Sequence, residues 1–106
     1  MEDKVWRLQA DILKALAHPL RLQILEKLRQ GEVCVCQLIA DLQADQANIS
    51  QHLAILRRQG LVSSRREGSW VHYKIVHPEV FAILDQVKGI LSREAQQKAE
   101  IVKAVD

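Results

Sequence analysis

Aromatic residues are scarce in this 106-residue chain, which has two Trp, one Tyr and one Phe. A core must therefore come mainly from Leu, Ile, Val and Ala, a composition that favours packed helices. Long apolar runs are missing. None approaches the roughly 18 residues of a membrane span. The start, Met1-Glu2-Asp3-Lys4, is polar, with no apolar signal stretch behind it. A cytoplasmic protein that does not enter a membrane is expected. Cysteine is almost absent, with only Cys34 and Cys36. That excludes a disulfide-stapled scaffold. In a reducing cytosol, two thiols separated by one residue suggest metal or redox chemistry more than a structural disulfide. Enzyme signatures are missing too: there is no nucleotide loop, no Ser-His-Asp set and no isolated carboxylate pair.

What is present reads as one compact domain spanning residues 1–106. A chain this short buries a modest core, so a dimer interface would help it. Val5, Leu8, Ile12 and Leu16 predict an amphipathic helix over about 3–16. Pro19 interrupts it and suits the first turn of a second helix carrying Leu20, Ile24, Leu25 and Leu28, which stops before Gly31. A short helix over about 34–42 follows, then a tight turn at Gln43-Ala44-Asp45. Next comes a helix from Gln46 to Gln59 with Ile49, Leu53 and Leu56 inward and Gly60 at its end. Two short helices joined by such a turn make a helix-turn-helix. The period then changes: Leu61–Arg66 and Trp70–Val76 read as strands of a hairpin around Glu67-Gly68-Ser69. His77-Pro78-Glu79 opens a long last helix with Val80, Leu84, Val87, Leu91 and Val102 at helical spacing. One small body cannot cover that whole stripe. Its surplus, with the first helix, predicts the interface of a homodimer.

The predicted fold class is mainly α with a small β-hairpin, a dimeric winged helix-turn-helix, whose second motif helix enters a major groove. The outward face of that helix presents Gln46, Ala47, Asn48, Ser50, Gln51 and Ala54. Gln and Asn pair bidentately with adenine edges, Ser serves either strand, and small Ala allows close approach. Arg57 and Arg58 suit phosphates. The wing tip offers Arg65, Arg66 and Ser69 for backbone or minor-groove contact. Charge agrees with this assignment. Residues 46–77 carry five cations against Glu67, a net of +4, although the chain totals only +2. A basic segment on a near-neutral protein is the footprint of a nucleic-acid reader.

Ala17-His18-Pro19-Leu20-Arg21, Glu32-Val33-Cys34-Val35-Cys36-Gln37-Leu38, Ile49-Ser50-Gln51-His52-Leu53 and Gly60-Leu61-Val62 resemble the ArsR/SmtB metalloregulatory repressors. The resemblance covers about residues 8–90. It implies a dimeric repressor on an imperfect palindrome of double-stranded operator DNA, released when a ligand binds. By the same resemblance Gln46–Gln59 is the recognition helix and Arg65–Trp70 the wing, while His18 and His52 are structural. Glu-Val-Cys-Val-Cys is similar to the Glu-Leu-Cys-Val-Cys box of arsenic- and cadmium-responsive members. Two features depart from those members. The place of a third cysteine is Ile39, and residues 1–33 hold none of the N-terminal cysteines of cadmium and lead responders. The family's zinc site on the last helix needs histidines. Here that helix offers Asp85, Glu94 and Glu100 but no histidine after His77, which argues against zinc.

Soft thiolates select soft ions. With two thiolates per subunit, As(III) or Sb(III) at Cys34 and Cys36 is the expected effector, another soft thiophilic ion such as Hg(II) fits as well, and no cofactor is obligatory. Residues two apart on an ideal helix point about 200° apart. Joint ligation therefore requires a local extended turn or unwinding there, and ligand binding would then disturb the support of the recognition helix. A thiol redox or persulfide sensor is the alternative, followed by inert packing of two small core residues. A dithiol redox enzyme and a constitutive DNA-binding module without effector are the remaining rivals.

Overall fold

The computed structural model describes residues 2–105, which form five helices and three strands. Helix α1 is Glu2–Leu16 and α2 is Pro19–Lys27. The break between them is made by His18, whose extended backbone and Nδ1 cap α2 by accepting the Leu20 N–H at 3.1 Å, with Pro19 in the first turn. Helix α3 is Val35–Leu42 and α4 is Gln46–Arg58. The expected turn between them uses Gln43 in the left-handed conformation (φ 51°) and Asp45 as N-cap, whose carboxylate accepts the Asn48 N–H at 2.8 Å. Helix α4 stops at Gln59 rather than running through it. Gly60 adopts φ +73°, and the Leu61 N–H reaches back to the Leu56 carbonyl at 3.0 Å. This is a six-to-one closure that a side chain at Gly60 would strain.

The hairpin is present as β2, Val62–Glu67, and β3, Trp70–Ile75, with a tighter Gly68-Ser69 turn than expected. The sheet has a third strand beyond the hairpin. Strand β1, Val33–Cys34, pairs antiparallel with β3 and gives the sheet order β1-β3-β2. Helix α5, Glu79–Val105, then leaves the sheet. A 27-residue helix is about 40 Å long at 1.5 Å per residue, and the molecule is correspondingly extended at 61 × 43 × 23 Å.

The core lies where α2, α4 and the sheet meet. Ile24, Leu25, Leu28, Leu38, Ile49, Leu53 and Leu56 are fully buried, and Tyr73, Val80 and Leu84 close the edges. The inward faces of α2 and α4 are thus the ones the periodicity predicts. The stripes of α1 and α5 behave differently. Val5, Trp6, Leu8 and Leu13 of α1 and Val87, Ile90 and Leu91 of α5 remain more than half exposed, with Trp6 and Leu91 at 68%. Between them runs an apolar groove of about 340 Å³ lined by Leu13, Leu16, Ile83, Val87 and Leu91. Among the described residues no helix is long and apolar enough to cross a membrane.

Candidate nucleic-acid interface and thiol pair

Burial of Ile49, Leu53 and Leu56 turns the opposite face of α4 to solvent. Gln46, Ala47, Asn48, Ser50, Gln51, Arg57 and Arg58 are all exposed and Ala54 is half-buried. They form one continuous polar surface. Asn48 also donates its side-chain amide to Asp45 at 3.4 Å. Asp45 escaped the sequence reading as a functional neighbour, although an Asp three residues before Asn48 is an N-cap signal.

The wing continues this surface. Arg57 donates to Ser64 Oγ at 3.2 Å, which ties the end of α4 to β2. Arg65, Arg66 and Ser69 are exposed, but the two arginines differ. Arg65 Nε donates to both Glu32 oxygens at 2.8 and 2.9 Å, and its Nη1 meets Glu67 at 3.0 Å. These hydrogen bonds, with Glu32 first, hold the guanidinium more firmly protonated and keep the Glu32 carboxyl below its ordinary range. His72 stands opposite Arg65 on β3 and approaches Glu32 and Glu67 at 4.0 and 3.8 Å. Arg66 has no ion-pair partner among the described residues. Of the two wing arginines, Arg65 is thus engaged in ion pairs and Arg66 is in none among the described residues. Glu32 is a residue whose role the sequence concealed. It lies 33 positions from Arg65.

The thiols depart from the helical expectation. Cys34 is in β1, with φ −69° and ψ 142°, and acts as N-cap of α3. Its Sγ accepts the Cys36 N–H at 3.3 Å. Because Cys34 is extended, the two side chains do not diverge by a helical angle. Their Cα atoms are 5.2 Å apart and their sulfurs lie against one another. The local extension thought necessary for joint ligation is thus already part of the fold, imposed by pairing of Cys34 with His72. Cys36 is exposed and Cys34 half-buried, so neither is a core-packing residue. Both line a cleft of about 560 Å³ whose other walls are Gln46, Ser50 and Arg57 of α4 and Arg65, Arg66, Ser69 and Trp70 of the wing.

The histidines are structural in geometry. The His18 and His52 rings pack with centroids 4.2 Å apart. Burial, then the charges of His18 and Arg21, push the His52 imidazole below its ordinary value. Asp85 on α5 is occupied by Arg29 at 2.8 and 3.2 Å, an ion pair that ties α5 to the turn after α2.

A helix-turn-helix, a wing beside it and a polar outer face on the second helix define a winged helix-turn-helix DNA-binding regulator. Comparison with known proteins agrees. Residues 18–64 match "Bacterial regulatory protein, arsR family". The chain is similar to the arsenical resistance operon repressor of Escherichia coli K12, with 45% identity over 96 residues, 90% of this chain and 81% of that protein. The crystal structure of Mycobacterium tuberculosis Rv0081 matches with a TM-score of 0.79 at 34% identity, covering 90% of this chain and 96% of that one. A homodimeric winged helix-turn-helix DNA-binding domain from Mycobacterium bovis, solved in solution, matches with a TM-score of 0.78 at 30% identity, covering 91% and 89%. The chain belongs to the ArsR family: it is a DNA-binding transcriptional repressor and not an enzyme.

Proposed function

We propose that this repressor holds operator DNA as a homodimer and releases it when a soft thiophilic species, As(III) or Sb(III) first, is bound by the reduced Cys34 and Cys36. The observation that carries the reading is the convergence of both sulfurs in an accessible turn at the N-terminus of α3. A helix N-terminus and its free N–H favour the thiolate, which is the form that ligates soft ions. The likeness to an arsenical resistance repressor supports the same assignment. Two protein thiolates leave the third position of As(III) to a small exogenous ligand.

On the DNA side, Gln46, Ala47, Asn48, Ser50 and Gln51 read base edges, and Arg57, Arg58, Arg65, Arg66 and Ser69 hold the backbone. The exposed stripes of α1 and α5 meet those of a second copy, as the homodimeric relative suggests. Two recognition helices related by a two-fold axis call for an imperfect palindrome. Such a repressor works in the cytoplasm, where its promoter DNA lies.

Fluorescence anisotropy of the reduced protein on duplex from upstream of its own gene, at fixed salt, tests the effector. As(III) should release the DNA from the native chain and leave a Cys34→Ser variant bound. If As(III) leaves the native complex intact, the metalloid reading falls. A second reading, a thiol-redox repressor, is favoured by the close approach of the two sulfurs. It predicts that oxidation to the disulfide alone changes DNA affinity and that a reductant restores it.

A further inference from the structure

The chain has four aromatic side chains, and three of them have a place in the fold. Tyr73 is buried in the core, Phe81 lies beneath the Arg29 guanidinium with 4.8 Å to its ring centroid, and Trp6 belongs to the α1 stripe. Trp70 is different. Alternation along β3 gives Val71, Tyr73 and Ile75 to the core and leaves Trp70, at the first position of the strand, 56% exposed. Its cross-strand neighbour is Glu67, and among the described residues it has no aromatic or cationic partner. A single exposed apolar residue needs no explanation by itself, but the place of this one does. Trp70 lines the cleft between the wing and α4, together with Gln46, Ser50 and Arg57 of the recognition helix and Arg66 and Ser69 of the wing. A large indole thus stands uncovered among polar and cationic groups on the surface assigned to DNA.

We propose that Trp70 contacts DNA and seats the wing, with its ring packed on the deoxyribose wall of the minor groove and its Nε1–H donated to a phosphate oxygen. This rests on the reading that the wing touches the duplex, and it adds an apolar contact to a set that is otherwise polar. Helix α4 fills a major groove, so a wing beside it reaches the flanking minor groove, where apolar side chains find surface to cover. Phosphates draw Arg66, but the sugars between them offer C–H surface. An indole presents an apolar body for that surface, with one donor and no acceptor to clash with the phosphates. The thermodynamic signature follows from this chemistry. Loss of a cation that meets a phosphate weakens binding and lowers the salt slope, because fewer counterions are released. Loss of an indole that meets sugar weakens binding by one factor at every salt concentration and leaves the slope as it was.

The test uses the reduced, full-length protein and a duplex obtained by in vitro selection for binding. Hydroxyl-radical footprinting with peptide mass spectrometry reads Trp70 and Trp6 separately in the native chain. An indole packed as in an interface core should be oxidised about fivefold more slowly at saturating DNA, measured against Trp6. An unchanged ratio overturns the proposal. Anisotropy titrations across a salt series then compare Trp70→Ala with Arg66→Ala, with circular dichroism confirming the fold of each. Trp70→Ala should bind at least about tenfold more weakly at every salt concentration and keep the native slope. Arg66→Ala should lower the slope by about 1.8 for a dimer with two wings. Native affinity in Trp70→Ala overturns the proposal. So does a slope that falls along with its affinity, since Trp70 would then act by placing the wing arginines and not by touching DNA. If Trp70→Ala binds as the native chain does while Arg66→Ala loses slope, the indole contact falls and the wing reading stands. If neither variant changes binding and Trp70 is unprotected, the wing reading falls with it.

Discussion

Glu32 carries no DNA-reading chemistry, yet replacing it by Gln should strengthen DNA binding. In the structure its carboxylate accepts two hydrogen bonds from Arg65 Nε, and Glu67 takes a third from the same guanidinium. A phosphate that recruits Arg65 must displace Glu32 first, so the carboxylate is an intramolecular competitor of DNA. Gln at that position keeps one acceptor oxygen and loses the charge. Each additional phosphate neutralised steepens the slope of log K against log salt by about 0.9, hence about 1.8 for a dimer with two wings. At 0.1 M salt that amounts to at most about eightfold tighter binding per wing, an upper bound reached only if the native Arg65 makes no phosphate contact. Anisotropy titrations of Glu32→Gln across a salt series measure both quantities. Glu100→Gln, far along α5, controls for the general effect of removing a negative charge. An unchanged slope in Glu32→Gln, or an equal change in Glu100→Gln, would refute the reasoning, since Arg65 would then not be limited by Glu32.

Four other outcomes are expected. Leu53→Ala opens a cavity at a site only 1% exposed, between α4 and the rest of the core. It should cost about 2–5 kcal/mol in urea unfolding, a large part of the roughly 5–15 kcal/mol that holds such a domain. Leu91→Glu adds a charge to an exposed position of the α5 stripe, so the fold should persist while sedimentation velocity shows a monomer. A dimer that survives would place the interface elsewhere. His52 is held below its ordinary value of 6.5, mainly by burial. The unfolded chain then binds more protons, and stability falls as pH drops below about 6.5. Thermal melts from pH 8 to 5 should show a steeper loss for the native chain than for His52→Gln. Hydrogen bonds from Arg29, and secondarily Lys88, lower the Glu26 carboxyl from 4.5 to about 2. Its contribution is complete above pH 4.5 and is lost as pH falls from 4.5 towards 2. Because both partners are partly exposed, Glu26→Gln should remove only about 1 kcal/mol at pH 7 and flatten that acid limb.

Local pattern determined a good deal of this protein. The 3.6-residue recurrence of Leu and Ile, the breaks at His18-Pro19 and Gly60 and the alternation around Gly68 were enough for the helix order, the hairpin and the inward face of α4. A face that buries Ile49, Leu53 and Leu56 leaves Gln46, Asn48, Ser50 and Gln51 outside by geometry alone, which is why the candidate reading residues were legible. Two-residue strands carry no periodic signal. Strand β1 exists because β3 offers it an edge, and only that pairing takes Cys34 off the helix and brings its sulfur to Cys36. Side-chain partnership across long stretches of chain is equally invisible in sequence. Arg65 with Glu32, His18 with His52 and Arg29 with Asp85 each join different elements. Sequence thus determined which residues face outward, because periodicity is a property of each element by itself. Tertiary structure decided which of them meet, because a shared cleft and a shared ion pair depend on how separate elements pack.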